Sequence, residues 1–148
     1  MERYRVAIIY ASVTGNTEEL AEMVRNCLKN YRIYLEVYTS KSFSVKKINH
    51  FDAIVVGTYT WGNGEIPEEL NDLFNAIAYE GNKNIVTGVF GTGDSFYPHF
   101  CGAVDKFRDM LFQYTDLAVT LKVELRPQIQ DKKRCRKFAD LLYKRLLS

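Results

Sequence analysis

Short apolar runs and amphipathic stretches alternate along almost the whole chain. Val6 to Tyr10 (VAIIY) is a β-branched run too short for a helix, and it predicts the first strand. Behind it Leu20, Ala21, Val24, Cys27 and Leu28 recur at helical spacing, with Glu18, Glu19, Glu22 and Arg25 on the other side, so a helix follows. Tyr31 to Thr39 alternates weakly and predicts a second strand, and residues 40–50 form a polar connector with lysines. Phe51 to Gly57 is continuously apolar, as a third strand buried on both faces should be. Thr58 to Ile66 is a loop with two glycines. Pro67 suits the first turn of a helix with Leu70, Leu73, Phe74 and Ile77 as its stripe, closed by Gly81-Asn82. Asn84 to Gly91 predicts the fourth strand, with Gly88 in its interior. After the loop Thr92 to Phe100, the residues Ala103, Val104, Phe107, Met110, Leu111 and Tyr114 mark a third helix. Leu117 to Leu125 is the fifth strand, ended by Arg126-Pro127. Asp131 to Leu147 is a last helix with Cys135, Phe138, Ala139, Leu142 and Leu146 inward.

This alternation predicts an α/β fold: a doubly wound five-stranded parallel sheet, order 2-1-3-4-5, with helices on both faces. Its 148 residues fit one domain spanning 1–148, and 47% hydrophobic with 26% charged content is ordinary for a globular protein. No apolar run nears the roughly 20 residues of a membrane span, and the charged start leads straight into a strand. Cys27, Cys101 and Cys135 are far apart and odd in number, and only His50 and His99 could join them. No zinc site or disulfide framework is expected, and a reducing cytoplasm fits. A net charge of +2 gives no argument for nucleic acid. Lys132, Lys133, Arg134, Arg136 and Lys137 read as the solvated face of the last helix.

In such a sheet, ligands bind beyond the carboxyl ends of the strands near the switch in strand order. Three loops should converge there. Ser12-Val13-Thr14-Gly15-Asn16-Thr17 is a hydroxyl-rich turn from strand to helix. Gly15 permits close backbone approach, and the helix N-terminus offers free N–H groups to an anion. No Lys or Arg lies within it and no Gly-Lys-Ser/Thr ending follows, which favours a phosphate monoester over a triphosphate. The same residues also serve as ordinary turn and cap residues. The loop after strand three carries Thr58, Tyr59, Thr60, Trp61, Gly62, Asn63 and Gly64. The loop after strand four carries Thr92, Gly93, Asp94, Tyr97, His99, Phe100 and Cys101. A phosphate site at one end and aromatics at the other describe a flat conjugated ring on a phosphorylated tail. Stacking adds about 0.5–1.5 kcal/mol per aromatic contact beyond burial. Asp94, Ser95 and His99 share one loop and lack a Gly-x-Ser-x-Gly elbow, so no hydrolase triad is expected.

Ser12 to Thr17, Thr60-Trp61-Gly62, Gly91-Thr92-Gly93-Asp94-Ser95 with Tyr97, and Phe100 to Asp105 occur in order at the predicted strand ends. With them the chain resembles a short-chain flavodoxin. The resemblance implies noncovalent FMN, with the residues of the three loops as its binding site, and single-electron transfer. It places Trp61 on one flavin face and Tyr97 on the other. Backbone N–H groups around Asp94 and Cys101 would meet the pyrimidine edge, and the Gly62–Asn63 peptide would turn its carbonyl towards N5 in the semiquinone. Neutral walls with few positive charges should make the second reduction harder than the first. Three departures stand out: the family is usually strongly acidic, His99 replaces a tyrosine common in relatives, and Phe96 is bulky where a small residue is common.

The expected function is a cytoplasmic, monomeric electron carrier between a flavodoxin reductase-type donor and acceptor redox enzymes. It would have no substrate, catalytic residue, metal, membrane or nucleic-acid partner of its own. Two alternatives remain at this point: an activator dedicated to one enzyme, of the ribonucleotide-reductase type, and an FMN-dependent quinone or azo reductase.

Overall fold

A computed structural model describes residues 3–148. The first strand, β1 (Tyr4–Tyr10), starts two residues before its apolar run because Tyr4 and Arg5 pair with Ile33 and Tyr34 of β2 (Ile33–Thr39). On its other edge β1 pairs in parallel with β3 (Ala53–Tyr59), then come β4 (Val86–Gly93) and β5 (Asp116–Glu124). The order is β2-β1-β3-β4-β5, all parallel, as the alternation of elements predicted.

The helices cover both faces. On one face α1 (Asn16–Leu28) and α4 (Asp131–Leu147) pack through Leu20, Val24, Leu28, Phe138 and Leu142 onto Val6, Ile8, Val55 and Phe90. On the other, α2 (Asn71–Glu80) and α3 (Gly102–Tyr114) bring Leu73, Ile77, Val104, Phe107 and Leu111 against Ile9, Ile54, Val56 and Val89. A fully buried Leu, Ile or Phe is worth about 1.5–3 kcal/mol, so these two layers are what hold the strand ends in place.

Three differences from the sequence pattern matter for the site. β3 and β4 each run two residues past their apolar runs, because Tyr59 still pairs with Thr92 and Gly93 with Glu124. Thr58, Tyr59, Thr92 and Gly93 are therefore strand residues with fixed directions rather than loop residues. Pro67 is extended (φ −56°, ψ 139°) and caps a short 3-10 turn at Glu68–Leu70, so α2 begins at Asn71. The connector 40–50 is partly core: Phe43 and Ile48 are buried, and Phe43 meets Tyr38 edge-on and Phe51 at a tilt. Gly88 sits at a register shift between β4 and β5, where a Cβ would stand 2.9 Å from the ring of Phe138.

Candidate functional site

The first loop is shaped by Ser12. Its Oγ accepts the N–H of Gly15 (3.2 Å) and that of Glu18 (3.3 Å), so it caps α1 from outside. Gly15, at φ +93°, is left-handed and turns the chain sharply into the helix, a conformation that L side chains resist. The helix's own bonding begins with Glu19 N–H on the Gly15 carbonyl (2.9 Å). The N–H groups of Asn16 and Thr17 thus lie in the first turn, where no helix carbonyl can reach them. The Thr17 hydroxyl is committed elsewhere: it is buried and bonded to that of Thr92 at 2.7 Å, tying the first loop to the end of β4.

The second and third loops interlock. Trp61 and Glu65 exchange two backbone bonds (2.8 and 2.6 Å), closing a tight turn that holds Gly62 and Gly64 at positive φ. Gly64 is buried against the other loop: a Cβ on it would lie 2.9 Å from the Cβ of His99. A Cβ on Gly102, at the start of α3, would lie 2.7 Å from the Gly64 Cα. The N–H of Ala103 donates to Thr60 Oγ1 (3.3 Å), and Lys106 pairs with Glu65 (3.5 Å). Below them Tyr59 donates to Glu69, and burial, helped by that hydrogen bond and charge, pushes its hydroxyl pKa up to about 12.

In the third loop Asp94 accepts the N–H of Phe96 (2.9 Å), and Phe96 meets Tyr97 edge-on with ring centres 6.2 Å apart. Cys101 is fully buried at φ +52°, with its Sγ 3.8 Å from the Gly91 carbonyl. Burial raises its thiol to about pKa 11, so it is neutral near pH 7 and a packing residue.

Between the loops lies a cavity of about 420 Å³. It gathers Val13, Thr14 and Asn16 of the first loop with Tyr59, Thr60 and Gly62. From β4 and the third loop come Thr92, Gly93, Asp94, Tyr97, His99 and Cys101. Ser12, Gly15, Thr17, Thr58, Gly64 and Phe100 do not line it; the first five shape or brace the loops that do. Trp61 and Asn63 are exposed on the second loop beside lining residues. Leu125 is a lining residue that the sequence pattern did not reveal, because it reads as the last residue of an apolar strand. It adopts φ +53° and donates its N–H to Gly93 (2.7 Å), which turns it to the cavity.

The residues fit FMN. The volume lies within the roughly 300–1,000 Å³ of small-molecule sites. The uncommitted first-turn N–H groups of α1 suit a phosphate, and Tyr97 (64% exposed) has a ring free to stack. No Lys or Arg lines the cavity, and Asp94 is its one carboxylate. Charge is segregated elsewhere. Glu65, Glu68, Glu69, Asp72 and Glu80 lie in and before α2 with no base among them, while α4 carries Lys132, Lys133, Arg134, Arg136 and Lys137 on the opposite face. Among the described residues no cluster could hold a metal, and no helix is long and apolar enough to cross a membrane.

The family model for flavodoxin matches residues 8–137. Probable flavodoxin 1 of Bacillus subtilis is 37% identical over 139 residues, covering 91% of this chain and 87% of the relative. The flavodoxin of Maridesulfovibrio salexigens is 36% identical over 128 residues, 82% of this chain and 86% of its own. The crystal structure of oxidised flavodoxin 1 from Bacillus cereus superposes with a TM-score of 0.87 at 32% identity, over 95% of this chain and 97% of that one.

Proposed function

The chain belongs to the flavodoxin family and is an FMN-binding electron carrier, and we propose that it moves single electrons at low potential from a reductase to acceptor redox enzymes. It acts as one domain, as a monomer and in the cytoplasm, where its three free thiols would remain reduced. The observation that carries the reading is the convergence of a helix start without Lys or Arg, its first N–H groups free for an anion, with an aromatic-bearing loop on one cavity.

In this proposal Thr14, Asn16 and the first turn of α1 hold the phosphate, with Ser12 and Thr17 fixing the loop's shape. Tyr97 and Trp61 flank the ring, and the backbone of Thr60, Gly62, Gly93, Asp94 and Cys101 meets its polar edges. The flavin supplies the redox chemistry. The protein's part is to orient it, keep it from bulk water on most sides and surround it with neutral or negative groups. A lining without Lys or Arg offers added negative charge no permanent cation, so the second electron should enter at a lower potential than the first.

Anaerobic photoreduction of the FMN-loaded protein tests this. Yellow protein should turn blue at one electron equivalent and bleach only with the second. Bleaching in one two-electron step would refute the carrier role and favour a quinone- or azo-reductase type of chemistry.

A further inference from the structure

Resting on the FMN-carrier reading, we propose that His99 is a redox-linked proton site: its imidazole takes a proton from solvent when the bound group gains negative charge. His99 lines the cavity, and its backbone is held there from two sides. Its carbonyl accepts the N–H of Gly102 (3.0 Å), and its Cβ lies against Gly64 so closely that a Cβ there would come within 2.9 Å. The imidazole itself has no side-chain hydrogen bond or ion pair among the described residues. It is exposed at the cavity rim, so protons reach it from water.

Its charged surroundings leave this role open to it. Within the cavity Asp94 is the one carboxylate, and one of its oxygens is occupied by the N–H of Phe96. From the second loop, Glu65 is paired with Lys106 of α3, and Tyr59 is bonded to Glu69. From α3, Asp105 is paired with Arg108 and Lys122. From the end of β5, Glu124 is bonded to Ser95, and Arg126 beyond it to Glu19. Every neighbouring cation is thus engaged, and His99 is the one cavity-lining side chain that can become positive. Histidine is also the residue type whose charge changes between about pH 5 and 8.

The balance is simple. One electron passes from an external reductant, dithionite or an electrode, onto the bound flavin, and with a tenfold difference in affinity on average up to about half a proton passes from solvent onto the His99 imidazole. By linkage, whatever factor separates proton affinity in the reduced and oxidised protein reappears in the potential. A solvated charge pair across the cavity gives a factor of about ten, equal to about 59 mV for a one-electron couple.

The chain has two histidines, so imidazole C–H signals in proton NMR are readily followed, with His50 as internal control. The FMN-loaded protein is titrated with acid and base in the oxidised and the dithionite-reduced state. His99 should bind its proton about tenfold more tightly when reduced, and His50 should not change. Potentiometry of His99→Gln against wild type is the second readout. The gap between their second-electron potentials should widen by about 59 mV from pH 8 to pH 5. Equal proton affinities in both redox states, or a gap that does not vary with pH, would overturn the inference. If His99→Gln folds poorly, His50→Gln assigns the signals and the wild-type titration decides alone. A protein that binds FMN and reduces in two steps without a redox-dependent shift loses this inference and keeps the carrier role; one that takes up no FMN loses both.

Discussion

Gly102→Ala separates the loops' mutual fit from the stability of the fold. Gly102 opens α3, and its backbone there is ordinary helix, so alanine brings no strain of its own. Alanine is better than glycine in a helix by about 1 kcal/mol, less at a terminus. Against this stands the new methyl group, 2.7 Å from the Gly64 Cα, 3.1 Å from its carbonyl oxygen and 3.3 Å from its carbonyl carbon. These are backbone atoms that cannot swing away, so the two segments must part by about an ångström. Overpacking of this kind costs about 1–3 kcal/mol. Which side yields is set by burial. Ala103, Val104 and Phe107 lock α3 into the core, whereas Trp61, Gly62 and Asn63 are exposed. The 60–66 loop should therefore move, stretching the Ala103–Thr60 bond and opening the cavity. Urea unfolding of the apoprotein should show a loss of no more than about 2 kcal/mol, because helix propensity offsets part of the strain. FMN affinity, read by fluorescence titration, should fall about tenfold, or about 1.4 kcal/mol. Wild-type FMN affinity in this variant would refute the reasoning, as would a large loss of apoprotein stability with the affinity unchanged.

Two further outcomes follow from the first loop and the buried thiols. Ser12→Ala removes the acceptor of two N–H groups and should cost the apoprotein about 1 kcal/mol. It should weaken FMN more than riboflavin, since in the proposed site the misplaced groups face the phosphate; equal losses for both ligands, by calorimetry, would contradict that role. Burial raises Cys101 from 9.0 to about 11 and Cys135 from 9.0 to about 12. The unfolded chain therefore loses these protons first. The stabilisation is complete below pH 9 and drains away as pH rises towards 11 and 12, by up to about 1.4 kcal/mol per pH unit for each thiol. Urea unfolding across that range should show the fall, and Cys135→Ala should make it shallower.

Much of the architecture is legible from hydrophobic period alone, because the inner strands β1, β3 and β4 are sandwiched between helices and must be apolar on both faces, while β2 and β5 at the edges are only partly buried. That signal stops where burial stops, which is not where pairing stops. Thr58, Tyr59, Thr92 and Gly93 look like loop because they are polar or small, yet backbone bonds to neighbouring strands carry the ladder through them. Leu125 was hidden for a different reason. Its left-handed backbone is imposed by the bond to Gly93, a tertiary event that no leucine advertises. The Ser12–Thr17 loop was readable because its donors must be supplied locally. Its link from Thr17 to Thr92 was not, since the two are 75 residues apart.

The separation of charge between α2 and α4 has a consequence for how this protein meets others. With a net charge of only +2, attraction or repulsion at long range is weak. An acidic flank on one face of the sheet and a basic flank on the other nonetheless form an electric dipole lying across the molecule. In the field of a charged partner such an object feels a torque before it feels a pull. Collisions are then sorted by orientation rather than by number, and added salt lowers the fraction of encounters that arrive correctly turned.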